Sequence, residues 1–206
     1  MKKLVAVLVS VLGLWAGHAQ ALLLPTGPQT GLTLASILGG GWTQCYANVM
    51  GKTIGINGEN VLDACSGDYL MMAGRVTGSE SFLIAAAALR SETIVNTGQT
   101  SNTHAANGSL WWYASDWSWG FTAIGDSVQN NQCDISASSP TSMCLHTLDY
   151  AGGYRINDIS ELNDSLDYEK VFFVANRDNQ NVPEPGSLAL LGLGLAAVAG
   201  LRRRQA

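Results

Sequence analysis

Residues 109–121 read SLWWYASDWSWGF, with four tryptophans inside nine positions. Odd positions carry Trp111, Tyr113, Trp117, Trp119 and Phe121, whereas even positions carry Trp112, Ala114, Asp116, Ser118 and Gly120. Side chains along a strand alternate between its two faces, so this order predicts a β segment with one strongly apolar face and a turn near Ser115-Asp116. Two strands cannot keep such a face out of water, and a second layer must cover it. The pattern therefore points to a small, mainly β domain, either a sandwich or a closed barrel.

The surrounding sequence agrees with that class. Further strand candidates are Trp42–Ala47, Tyr69–Ala73, Ser81–Leu89, Ser109–Tyr113, Ser118–Ile124, Met143–His146 and Lys170–Ala175. Asn107-Gly108, just before Leu110, is a strong hairpin-turn signal, because both residues tolerate positive φ. The run Phe82–Leu89 (FLIAAAAL) stays open between strand and helix. Its alanines favour helix, but eight residues between Gly78-Ser79 and Ser91 also suit a short buried strand.

The two ends have a different character. Lys2 and Lys3 precede an apolar run from Leu4 to Ala16, and Ala19-Gln20-Ala21 supplies the small residues a signal peptidase needs. Residues 1–21 are therefore expected to form a signal helix cleaved after Ala21, with Ala19 as the second choice. At the other end, Val182-Pro183-Glu184-Pro185 precedes Leu188–Leu201, which has no polar side chain, and then Arg202, Arg203 and Arg204. Fourteen helical residues span only about 21 Å, short of a hydrocarbon core of about 30 Å. The arginines would hold their end in the cytoplasm. This layout predicts three regions: a signal peptide (1–21), an exported β-rich body (22–181) and a sorting segment (182–206) with a hydrophobic helix held transiently in the inner membrane.

A Pro-Glu-Pro motif, a short apolar stretch and an Arg cluster in that order resemble the PEP-CTERM sorting signal of Gram-negative bacteria. The resemblance implies processing by the membrane protease exosortase and association with exopolysaccharide or biofilm matrix. It implies no activity for the body. A second resemblance covers roughly Cys45 to Val174. Its elements are Trp111-Trp112-Tyr113, Ser118-Trp119-Gly120-Phe121, Gly125-Asp126, Cys133-Asp134, Cys144-Leu145-His146-Thr147, Gly153-Tyr154-Arg155, Leu162-Asn163 and Glu169-Lys170-Val171. These are similar to an exported cysteine- and tryptophan-rich domain of unassigned function. That pattern often places a cysteine after Tyr-Arg, where this chain has Ile156.

Charge sharpens the picture. The whole chain carries −5, but Lys2, Lys3 and the three terminal arginines lie in the ends. The body keeps six basic and fifteen acidic residues, a net charge of −9. Such a surface repels nucleic acid and anionic headgroups, so no nucleic-acid partner is expected.

All four cysteines, Cys45, Cys65, Cys133 and Cys144, lie in the body. An even count in an exported chain predicts two disulfides. Three pairings are possible, and proximity favours Cys45–Cys65 with Cys133–Cys144. Cys144 and His146 lack the C-x-x-C spacing of zinc sites, and neither a metal nor a cofactor is expected.

The tryptophan segment also carries the candidate chemistry. Its odd face suits a core. Tryptophans can instead stack on sugar rings while nearby carboxylates accept from sugar hydroxyls. Trp112 and Asp116, on the opposite face, are the candidate glycan contacts. No catalytic residues are assigned: G-x-S-x-G, H-E-x-x-H and P-loop motifs do not occur in the sequence. The leading expectation is an exported, exosortase-processed protein with a non-catalytic structural or adhesive role in the matrix. The alternatives are a carbohydrate-binding module using an exposed Trp/Asp face, and a polysaccharide hydrolase using Asp116 or Asp126.

Overall fold

The structure is a computed structural model. It describes residues 22–129, 134–135 and 140–177, with no side-chain description at 129, 134 and 135. The expected signal helix, with Ala19 and Ala21, and the segment from Val182 to Arg204 lie outside the described residues. Among the described residues no helix is long and apolar enough to cross a membrane.

The described body is mainly β. Its strands are β1 (Thr43–Val49), β2 (Tyr69–Val76), β3 (Ile84–Leu89), β4 (His104–Ala106), β5 (Ser109–Ala114), β6 (Ser118–Ala123), β7 (Val128–Gln129), β8 (Asp134–Ile135), β9 (Met143–His146), β10 (Gly153–Ile156) and β11 (Tyr168–Ala175). A short helix α1 (Leu34–Gly39) precedes β1, and short helices α2 (Glu59–Ala64) and α3 (Arg90–Thr93) lie between strands. One antiparallel sheet has the order β1-β11-β2-β3 and a second has the order β10-β9-β6-β5-β4. A small ribbon pairs β7 with β8. The two main sheets share no strand and keep separate edges, so the barrel alternative is corrected: this is a sandwich.

Alternation within each strand builds the core between the sheets. Leu70 and Met72 of β2, Ile84, Ala86 and Ala88 of β3, and Phe172 of β11 meet Trp111, Tyr113, Trp119 and Phe121 of the second sheet. The rings of Trp119 and Phe172 lie 5.4 Å apart across that interface. The first sheet is also covered on its other face. Met71, Ala73, Ala85, Ala87, Val171 and Phe173 pack there against Ile37, Trp42 and Phe82. The chain from residue 22 to α1 forms much of this cover, together with Trp42 and Phe82, and is tied to β3 by reciprocal bonds between Gln29 and Ala85 at 2.8 Å.

Burial on both faces resolves the open reading of FLIAAAAL. A strand buried on both faces reads as a continuous apolar run rather than an alternating one. Alanine's helix preference amounts to well under 1 kcal/mol per residue over common alternatives. Pairing to β2 in full register outweighs it. Asn107-Gly108 makes the β4–β5 turn as expected, with φ of 45° and 78°.

Cys45 on β1 is bonded to Cys65 at the end of α2, with Cα atoms 5.2 Å apart. Cys144 is disulfide-bonded as well. Cys133, the remaining cysteine, lies outside the described residues.

Candidate functional site

The β5–β6 hairpin turns through Ser115, Asp116 and Trp117, since Ala114 pairs directly with Ser118. Asp116 stands at φ 56°, exposed at the tip. The turn is tied to two neighbouring segments. The Asp116 amide donates to Asn57 Oδ1 at 3.2 Å. The Trp117 amide donates to Thr147 Oγ1 at 2.8 Å, and the Thr147 amide returns a bond to the Trp117 carbonyl at 3.1 Å. The Thr147 hydroxyl donates in turn to the Ala114 carbonyl at 2.7 Å.

The connection from β9 to β10 is held as firmly. Its Leu148 carbonyl accepts from the Thr53 hydroxyl. The His146 amide donates to Gly152 O at 3.1 Å, and the Gly153 amide to Met50 O at 2.6 Å. Gly152 fits because it has no side chain: a Cβ there would lie 2.0 Å from the Met50 carbonyl oxygen.

Between these two loops lies a cleft of about 350 Å³, lined by Trp117, His146, Leu148, Tyr150 and Ala151. Tyr150 is 82% exposed and forms an outer wall standing in water. His146 packs edge-on to Tyr154, with ring centroids 5.9 Å apart. Burial lowers the pKa of its imidazole, opposed in part by the Trp117 carbonyl and the Asn163 side chain. The cleft is therefore aromatic, backed by an imidazole biased toward its neutral form.

Trp112 and Asp116 do not act together. Trp112 is fully buried, packed with Val128 and Cys144 on the outer face of the second sheet. The expected exposed Trp/Asp face is thus corrected, because the outer face has a cover of its own. Asp126 accepts a hydrogen bond from the Thr122 hydroxyl. Trp117, read as a core residue, is half-buried at the cleft instead. The residues missed are Tyr150 and, as a cleft residue, His146. A lone tyrosine in a Gly-containing loop carries no signal that separates it from solvent-facing filler. Among the described residues, no group of three or more His, Cys, Asp or Glu side chains is placed to hold a metal ion.

Comparison with known proteins identifies the tail. Residues 181–204 match the PEP-CTERM protein-sorting motif. The chain thus carries this sorting motif, which supports an exported protein processed by exosortase and sorted to the cell surface. Neither a curated protein nor a solved structure gives a match to this chain.

Proposed function

We propose that the body is a non-catalytic structural or adhesive component of an exopolysaccharide matrix, released into it after signal peptidase and exosortase have acted. The observation that carries this reading is the sorting motif at residues 181–204. The tail passes transiently through the inner membrane, held by Arg202, Arg203 and Arg204 on the cytoplasmic side. The body needs no cofactor for this role, and its charge of −9 keeps it off nucleic acid and anionic lipid.

The test is expression of the tagged full chain in a Gram-negative host with and without exosortase. With the enzyme, the tail is lost and the body fractionates with extracellular polysaccharide. Without it, the uncut chain stays in the membrane fraction. A body recovered only in polysaccharide-free medium would overturn the matrix role. Release of new reducing ends from matrix polysaccharide by the purified protein would overturn the non-catalytic reading.

A further inference from the structure

We propose that the cleft between Trp117 and Tyr150 binds one uncharged pyranose unit of a glycan. Five tryptophans fall among the described residues, and Trp42, Trp111, Trp112 and Trp119 are all buried. Trp117 alone of the five is presented to solvent. Its backbone is anchored by paired bonds to Thr147, and Thr53 fixes the facing loop. A platform held before the ligand arrives loses little freedom on binding.

The lining selects the ligand class. The volume, about 350 Å³, lies at the small end of ligand sites, which run from about 300 to 1,000 Å³. The walls are the rings of Trp117 and Tyr150, the His146 imidazole and aliphatic carbon from Leu148 and Ala151. The chain beside these walls is polar, since the exposed carboxylates Asp116 and Asp149 directly precede Trp117 and Tyr150. A pyranose matches that division, with an apolar C–H face for a ring and hydroxyls that donate to carboxylates. A polyanion does not match it: none of the lining residues is Lys or Arg, and the surrounding body is strongly acidic. An acyl chain needs an enclosed apolar channel, whereas the Tyr150 wall is 82% exposed. The inference rests on the matrix reading only for where such a glycan would be met.

The experiment uses the exported, processed protein and two readouts. The first is calorimetric titration with neutral di- and trisaccharides of glucose, galactose and N-acetylglucosamine, and with oligogalacturonate. The second is acrylamide quenching of tryptophan emission, which reports chiefly on Trp117. At least one neutral sugar is expected to bind saturably in the millimolar range or tighter and to shield Trp117. Trp117→Ala and Tyr150→Ala are each expected to weaken it by about tenfold or more. Tyr150→Ala, at an exposed tip, keeps the test valid if Trp117→Ala disturbs folding. Absence of binding, preference for oligogalacturonate, or unchanged affinity in Tyr150→Ala would overturn the proposal. Matrix fractionation of the wild-type body, set beside its sugar titration, separates the two readings. A body that stays with polysaccharide but binds no sugar leaves the matrix role standing and removes the cleft. A body that binds sugar but leaves the polysaccharide does the reverse.

Discussion

Trp112 sits directly opposite Gly120 on the adjacent strand, and a Cβ at position 120 would lie 2.3 Å from the indole Cζ2. The same Cβ would lie 2.4 Å from the Met143 carbonyl oxygen. Neither neighbour can yield cheaply, because the ring is buried and the carbonyl belongs to the next strand. Gly120→Ala should destabilise the body by about 1–3 kcal/mol, the range for overpacking a dense core. Urea unfolding followed by tryptophan emission measures it. Trp112→Leu added to Gly120→Ala should cost less than the sum of the two single changes, because the pair share one space. Full additivity would show that the ring does not rest on Gly120.

The Cys45–Cys65 bond joins an exposed edge strand to the short helix α2, across a sequence separation of 20. Most of its effect lies in the unfolded chain, whose freedom it restricts. Replacing both cysteines with alanine should cost about 3 kcal/mol. The expected result is a lower urea midpoint with β content retained by circular dichroism. An unchanged midpoint would mean that packing around Cys65, which is fully buried, carries this corner alone.

Thr147 is the pin of the aromatic cleft. It is fully buried, and its hydroxyl both accepts from the Trp117 amide and donates to the Ala114 carbonyl. Thr147→Val keeps the shape and deletes both bonds. The expected cost is about 1–3 kcal/mol, the penalty for stranding buried polar groups. Acrylamide should also quench Trp117 more readily in this variant. Equal quenching in variant and wild type would show that the turn holds without the hydroxyl.

The tryptophan segment shows how far local pattern reaches. All seven strand candidates correspond to observed strands, because each has its own β-branched, aromatic or buried-run signal. His104–Ala106 and Gly153–Ile156 give no pattern long enough to read. They are three and four residues long and hold their shape only by pairing with β5 and β9. Strict alternation placed Trp111, Tyr113, Trp119 and Phe121 correctly in the core. It failed at Trp117, because a three-residue turn takes that position out of the strand. It also put Trp112 on the correct face, but local sequence does not reveal that Val128 packs onto that face beside Cys144. The cleft was illegible for the same reason: residues 117, 146 and 150 meet only after two hairpins are docked.

Lys170 gives the pH dependence. It lies in the middle of the first sheet, fully buried, and its ammonium donates to the carbonyls of Val49, Met50 and Lys52. Burial pushes its pKa down from 10.5 to about 7. The unfolded chain therefore holds this proton between about pH 7 and 10.5, while the folded chain has lost it. Stability must rise with pH wherever the unfolded state binds more protons, so Lys170 adds stability as pH climbs through that window. One group contributes at most about 1.4 kcal/mol per pH unit. The upper part is opposed by Tyr46 and Tyr113, whose pKa values burial raises, so the window to examine is pH 7–9. Urea midpoints should rise across it in the wild type and stay flat in Lys170→Met. The variant should also lose about 1–3 kcal/mol at pH 9, where the buried carbonyls that the neutral amine still bonds lose their donor. A wild-type profile flat from pH 7 to 9 would mean that the three carbonyl bonds hold the ammonium charged despite its burial.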